Sequence, residues 1–421
     1  MEHDNPMSNV DFTNSKVLKY LGFGVLGLGL LSVCFTPSDL TFTRLENFLL
    51  PVLLVVIILA KKIRIEGAYF PVLLAFAVCY AVSIFLNGDG IGDISYAFRT
   101  LKILLFLILS AQLLHEHHLN FDKIIRSTFL IISAVVLLEF FNPMGIYEIF
   151  FSFFTHHNME KFDQLDSIRI IGTMMNPNDN GVLLTCFIAY FMSSYHSSKN
   201  KWNLLFGMLG LVLVILSQSR TSLIAVLVMG VPFLLTFRIT RTMIFSVVGS
   251  AIVVVAAMHL LQMNYMMELL SKNPLEISAF QARFRDWGYI IGVWNEHKIW
   301  GAGPFADTFT AAGYFDPDSE YLYILASRGV VGLVCYLIIL TYPILVFWKK
   351  RNEVKHALLA VLLSVAFMLI GVTNFSLLNV RIGVVYAIFI GIPFSFLLFK
   401  SESNKLNLAI PSFGSLFTKQ R

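Results

Sequence analysis

The sequence predicts an all-α, polytopic integral membrane protein with about twelve transmembrane helices and a large late loop on the outer face. Two observations carry that prediction. Of 421 residues, 57% are hydrophobic and only 14% are charged, against about 45–50% apolar and about 25% charged in soluble domains. Apolar area on this scale stays out of water only in lipid, which excludes a soluble globular enzyme and a disordered chain together. The apolar residues also run continuously instead of alternating in segments of about ten, so helices and not a closed barrel make the spans.

Charge-free windows place the spans in order. The first, 20–38, follows a polar leader that reaches Lys19 and closes in Phe35-Thr36-Pro37 without a small-residue cleavage site. It is expected to be a retained span and not a signal peptide. Windows 67–88, 180–198, 202–219, 221–237, 242–258, 329–348, 357–380 and 382–399 are each long enough to cross or nearly cross the hydrocarbon. The shorter windows 47–60, 103–114 and 127–138 become spans with their flanking residues. Cys34, Cys79, Cys186 and Cys335 lie inside apolar stretches without CxxC or Cys/His spacing, so buried thiols are expected, with neither disulfide nor zinc.

Basic residues orient the chain. Alternating the loops between two sides gathers Lys16, Lys19, Lys61, Lys62, Arg64, Lys123, Arg126, Lys199, Lys201, Arg238, Arg241, Lys349, Lys350, Arg351, Lys355 and the C-terminal lysines on one side. That side is the cytoplasmic face by the positive-inside rule, with both termini inside. The long polar connections fall on the other side. Residues 1–261 thus hold the N-terminal helices with an outer loop near 141–179, residues 262–320 form the large outer loop, and residues 321–421 hold the C-terminal helices and tail. Function is expected in the outer loops, because the cytoplasmic connections are short basic hinges.

The residues that carry chemistry are few. Arg220, in Ser217-Gln218-Ser219-Arg220-Thr221-Ser222, stands between two apolar runs with no acid nearby in sequence. It reads either as an arginine snorkelling to the interface or as a phosphate site, its planar fork of donors assisted by the hydroxyls of Ser219 and Thr221. In the late loop, Arg283 and Arg285 would share a face in extended chain but diverge by about 200° on a helix. One is then expected to face a substrate while the other pairs with Asp286. Trp287, Trp294 and Trp300 suit an interfacial belt or stacking platforms for sugars. Asp318, Ser319 and Glu320 read as a helix N-terminus, or as a source of a general base facing an anionic leaving group. Their spacing matches no complete ligand set for a hard cation, and no metal is expected.

Arg169-Ile170-Ile171-Gly172-Thr173 leads into Asn176-Pro177-Asn178-Asp179-Asn180, a turn expected to break the chain before a helix starting near Gly181. The turn accounts for the asparagines but leaves Arg169 unexplained. The histidines follow no zinc spacing. There is no Gly-x-Ser-x-Gly, no phosphate-cradling loop and no dinucleotide fingerprint, so no cofactor and no nucleic-acid partner are expected.

In this order, the elements resemble the O-antigen ligase and polymerase superfamily of bacterial inner membranes. The resemblance rests on Arg-x-x-Gly-Thr…Asn-Pro-Asn at 169–178, Ser-Arg-Thr at 219–221, Arg…Trp…Gly-x-Gly from 283 to 303, and the loop tail at 318–332. It covers 169–332 in motifs and the whole chain in hydropathy. Ligases of the superfamily resemble one another in a histidine near the end of the late loop. Here that place reads Asp318-Ser319-Glu320-Tyr321-Leu322, which resembles the Wzy-type polymerase branch.

The resemblance implies a membrane glycosyltransferase that moves a growing glycan from an undecaprenyl diphosphate carrier to a hydroxyl of the next lipid-linked repeat unit, at the periplasmic face. It implies Arg220 and Arg283 or Arg285 for the diphosphate and Asp318 or Glu320 as base. Arg169, Asn176, Asn178, Ser219, Thr221, Trp287, Tyr321 and Arg328 are expected to bind substrate. Partners implied are lipid-linked oligosaccharide units, membrane lipid and a chain-length regulator protein. The alternatives are a ligase with lipid A core as acceptor, and a transporter or flippase. Against the latter count the missing internal repeats, the few broken helices and the one-sided loop.

Overall fold

The computed structural model describes residues 16–35, 69–87, 94–145, 169–237, 278–303 and 318–408, with positions 49, 51, 52, 55 and 259. Every regular element among them is helical: α1 (Lys16–Phe35), α2 (Tyr69–Asn87), α3 (Ile94–Phe141), α4 (Pro177–Ser198), α5 (Lys201–Leu216), α6 (Arg220–Leu234), α7 (Ser278–Glu296), α8 (Glu320–Lys349), α9 (Ala357–Thr373) and α10 (Val380–Leu408). Asn120–Phe141, Glu320–Lys349 and Val380–Leu398 are long and apolar enough to cross a membrane, and shorter apolar helices accompany them. The protein is a polytopic membrane protein. The span expected at 242–258 lies outside the described residues, as do most of 47–60 and most of the loop at 141–179.

Two expected spans fall in one helical run, α3. Its 48 residues would extend about 72 Å if straight, more than twice the hydrocarbon thickness. Yet Gly27 of α1 lies against Ile124 while Gly29, two residues on, lies against Phe106. In a straight helix positions 106 and 124 are about 27 Å apart. The run therefore doubles back between its apolar stretches Thr100–Leu114 and Asn120–Phe141, which act as two spans.

Helix α4 occupies the middle of the bundle. Residues from Val182 to Phe191 are buried all round, enclosed by α5, α6, α9 and α10. Close approach relies on small residues, as expected where lipid supplies no hydrophobic drive between helices. On α10, a side chain added at Gly383 would meet Ile103 and one at Gly391 would meet Ser110, both on α3.

Local chemistry sets the helix ends. Asn176 caps α4 by accepting from Asn178 N at 2.8 Å, with Pro177 at the first helical position. The helix thus begins four residues before the expected Gly181, because the Asn-Pro pair is itself the start signal. Lys199, in a left-handed conformation, closes α4, and Asn200 caps α5 through Trp202 N at 3.0 Å. The turn at Ser217–Ser219, with Gln218 at φ 52°, reverses the chain into α6.

Helix α8 is two helices joined at Gly329, whose φ of 66° and ψ of −170° leave the helical region. The segment after α7 fills that break. Ala302 N donates to Ala326 O at 2.7 Å, Gly303 N to Ser327 O at 3.2 Å and Val330 N to Lys298 O at 3.0 Å. From α2, Ser83 Oγ donates to Ser327 O at 2.6 Å and Asn87 Nδ2 to Gly301 O at 2.8 Å. Irregular backbone at membrane depth is tolerated where protein satisfies it in this way. This break removes one of the arguments against a transporter, since the sequence showed few broken helices.

Charge segregates to the two ends. The connections 199–200 and 350–356, with the first residue of α5, carry Lys199, Lys201, Lys350, Arg351 and Lys355 at one end. A small cavity of about 10 Å³, room for about one water, is lined by Leu114, Phe121, Tyr190, His356 and Ile392 towards that end. The candidate site lies at the other.

Candidate functional site

The starts of α4, α6, α8 and α10 meet at the site end, tied together by Thr373 and the turn 374–379 that follows it. Asn379 Nδ2 donates to Asp179 Oδ2 of α4 at 2.9 Å, while its Oδ1 caps α10 by accepting from Arg381 N at 3.1 Å. Thr373 Oγ1, at the end of α9, is 2.7 Å from Thr221 Oγ1 of α6. Ser376, Leu377 and Leu378 donate their backbone N–H groups to Glu320 of α8 at 3.0, 3.2 and 2.5 Å. Helix N-termini carry partial positive charge and unsatisfied N–H groups, so their convergence favours an anion.

Glu320 is the clamp of this hub. Besides three backbone donors it accepts from Tyr336 Oη at 2.8 Å and from the Ser376 hydroxyl, and it is fully buried. Four of the five donors meet Oε2 and one meets Oε1. This geometry does not suit the base expected at Glu320, because the carboxylate is fully buried and both its oxygens are held by the protein. Tyr321 likewise commits its hydroxyl, donating to Met368 O at 2.7 Å.

Asp318, two residues earlier, differs. Its side chain is 48% exposed, and its Oδ2 accepts from Arg283 Nε at 2.7 Å, while its Oδ1 carries no partner among the described residues. The pair joins the late-loop helix α7 to the mouth of α8. Helical geometry separates the two neighbouring arginines as expected: Arg285 turns outward and pairs through Nε with Asp286 Oδ1 at 3.2 Å. Trp287 and Trp294 pack, with Tyr289, against a small core of Ile290, Tyr323 and Ala326 that seats α7 on α8. The inner face of α7 is therefore a docking surface for α8.

Ser219–Thr221 and the asparagine turn meet across α4. A side chain at Gly181 would collide with Ser219 and Ser222, so only glycine lets these elements touch. Ser219 Oγ donates to Ser222 Oγ at 2.9 Å, and Arg220, the first residue of α6, is 9% exposed. Arg169 is 5% exposed and donates through Nη2 to Asn178 Oδ1 at 3.0 Å. The structure thus brings Arg169, Asn176 and Asn178 together at the start of α4, and Ser219, Arg220 and Thr221 beside them.

Arg328 is placed otherwise than expected of a substrate-binding residue. It is 2% exposed, with its guanidinium carbon 3.9 Å and 4.1 Å from the ring centroids of Phe76 and Tyr80. Nη2 reaches Thr100 Oγ1 at 3.4 Å. Held between two aromatic faces, it fixes α8 to α2 just before the break at Gly329.

Three residues of this end escaped the sequence reading. Arg381 is buried and donates to the carbonyls of Val33, Thr173 and Met174. Glu139 accepts from Ile171 N at 2.7 Å and Gly172 N at 2.8 Å, anchoring the approach to α4. Asn379 is the third. A lone acid or arginine at the edge of an apolar window is the signal that marks the first two, since such groups stay in a membrane only with partners.

Apolar helices bundled around a buried polar hub, with cations and hydroxyls gathered at one end, define a polytopic membrane protein. Residues 205–337 match the sequence model of the family Wzy_C, O-antigen ligase. That match supports membership of the chain in the O-antigen ligase/polymerase superfamily and indicates ligase- or polymerase-type function, that of membrane glycosyltransferase-like enzymes. With the apolar helices it points to an inner-membrane protein. No curated protein matches the chain. The matched segment holds Ser219–Thr221 and both partners of the Arg283–Asp318 pair.

Proposed function

We propose that the protein polymerises undecaprenyl-diphosphate-linked oligosaccharide repeat units into O-antigen or a related surface polysaccharide, at the periplasmic face of the inner membrane with both termini cytoplasmic. The observation that carries this reading is the Arg283–Asp318 pair, a half-exposed carboxylate held by an arginine at 2.7 Å, with one oxygen unpartnered among the described residues. In the reaction the anomeric carbon–oxygen bond to the diphosphate breaks as an acceptor hydroxyl bonds to that carbon. Asp318 takes the hydroxyl proton, and the electron pair leaves on the lipid diphosphate. Preorganised donors placed where this charge develops lower the barrier. Arg220 and Arg283 serve the diphosphate, with Arg169 in support and the converging helix N-termini adding their positive ends.

Asn176, Asn178, Ser219, Thr221, Tyr321 and Glu320 act by holding those groups in place. Polymerase is preferred to ligase because the loop ends in Asp318-Ser319-Glu320-Tyr321-Leu322 and has no histidine after His297 until His356, in the connection at the opposite end. Reconstitution tests the proposal: purified protein in proteoliposomes is given lipid-linked repeat units alone. A ladder of lengthened products is expected. Transfer only when lipid A core is added would make the protein a ligase, and unchanged substrate under both conditions would leave a transporter.

A further inference from the structure

Helix α7 meets three environments. Its inner face, with Trp287, Ile290 and Trp294, is covered by α8. Gln281, Arg285 and Glu296 are exposed on the opposite side. Between these faces lies an apolar edge made by Phe284 and Ile291, which are 49% and 42% exposed. At about 100° per residue they stand roughly 20° apart on the helix, next to Trp287. A helix whose purpose was only to dock on α8 would present polar residues there.

The edge continues beyond the helix. Ile299 and Trp300 follow it, 62% and 39% exposed. The hydrogen bond from Val330 N to Lys298 O sets Ile299 beside the first turn of α8 after its break. There begins the exposed stripe Val330, Val334, Leu337 and Ile338, at the i, i+4, i+7, i+8 spacing of a single helix face. That stripe belongs to a helix long and apolar enough to span a membrane, so it faces acyl chains. Ile299 and Trp300 thus link the end of α7 to the start of that lipid-facing stripe.

We propose that α7 is an interfacial helix that lies in the membrane surface, with Phe284, Ile291, Ile299 and Trp300 immersed at the acyl boundary and Gln281, Arg285 and Glu296 in the headgroup layer. The occupant of the edge is the bilayer itself. Arg285 stands where its charge meets lipid phosphates, which accounts for its outward turn without a role in the reaction. The inference is independent of which transfer the protein catalyses.

Site-directed spin labelling tests it on the full chain in nanodiscs of phosphatidylethanolamine and phosphatidylglycerol. Cys34, Cys79 and Cys186 are buried and Cys335 is half-buried, so unsubstituted protein serves as the labelling background. Labels at Phe284→Cys, Ile291→Cys and Ile299→Cys are expected to collide more with oxygen than with a water-soluble nickel chelate, and labels at Gln281→Cys and Glu296→Cys the reverse. Water-like accessibility at 284 and 291 overturns the proposal. So does spin–spin broadening that disappears on dilution with unlabelled protein, because a second copy would then cover the edge. Should labelled variants fail to fold, phospholipids brominated near the headgroup are expected to quench a tryptophan component that Trp300→Phe removes. Equal quenching with and without Trp300 also overturns it.

Discussion

Replacing Glu320 by Gln separates two roles that the sequence left open for that carboxylate, and the structure supplies the magnitude. Four donors meet Oε2, from Tyr336, Ser376 twice and Leu377, whereas Leu378 N meets Oε1 at 2.5 Å. The best arrangement of the amide keeps its oxygen at the crowded position and puts its NH2 group opposite Leu378 N–H. One hydrogen bond is lost and two buried donors face each other. At about 1–3 kcal/mol for each of the two unsatisfied groups, the variant should lose about 2–6 kcal/mol. At about 2 °C per kcal/mol for a large chain, its melting temperature should fall by roughly 4–12 °C. Glu320→Ala strands all five donors and should fall further or fail to accumulate. The assay is thermal unfolding in detergent by intrinsic fluorescence, paired with polymer formation per folded molecule at a temperature where the variant is intact. Glu320→Gln should retain most of its activity there. A wild-type melting temperature combined with lost polymer would refute the reasoning, since it would make Glu320 a reacting group and not a clamp.

Asp318→Asn should do the opposite, keeping the melting temperature because a half-exposed ion pair contributes about 0–1 kcal/mol, while polymer formation from lipid-linked units falls by about a hundredfold or more. Arg220→Lys should abolish long polymer while the protein still reaches the membrane, as gels of extracted polysaccharide would reveal; normal chain lengths would remove Arg220 from the site. Arg283→Lys should lower turnover by about a hundredfold through loss of a directed donor, with little change in unfolding. Gly329→Ala should destabilise by about 2 kcal/mol or more, because its backbone region is nearly restricted to glycine and the new methyl would overlap the Ile299 carbonyl; the exposed Val330→Ala should stay near wild type, and equal melting temperatures for the two would contradict the assignment.

How much of this was legible in the sequence depended on what lipid demands of a residue. The spans could be read because an uncompensated charge cannot sit in hydrocarbon, so charge-free windows outline 69–87, α5 and α6 closely and give the start of α9. The turn before Arg220 and the divergence of Arg283 and Arg285 were readable for local reasons, chain geometry and the helical angle, but not which of the two arginines turns outward. The hub was not. Residues 374–379 fell inside a window read as one apolar span to 380, because Phe375, Leu377 and Leu378 mask the alternating Asn374, Ser376 and Asn379. Glu320 and Asp318 could not be told apart either. Which of two acids two residues apart turns inward depends on donors 56 to 58 positions away. Arg328 looked like a cation at the mouth of a span, and only the placement of Phe76 and Tyr80 on α2 shows that aromatic rings hold it.

The central position of α4 bears on how the chain enters its membrane. With Asn178, Asp179, Asn180 and a run of serines and a histidine at its far end, its 22 residues are not apolar enough to qualify as a span by composition. Released alone into lipid, such a segment would partition poorly, since the translocation machinery weighs each helix against hydrocarbon. The connection to α5 is only Lys199 and Asn200, and α5 is apolar nearly throughout. The two are then expected to insert as one hairpin, in which α5 supplies the hydrophobicity and α4 the polar groups at the hub.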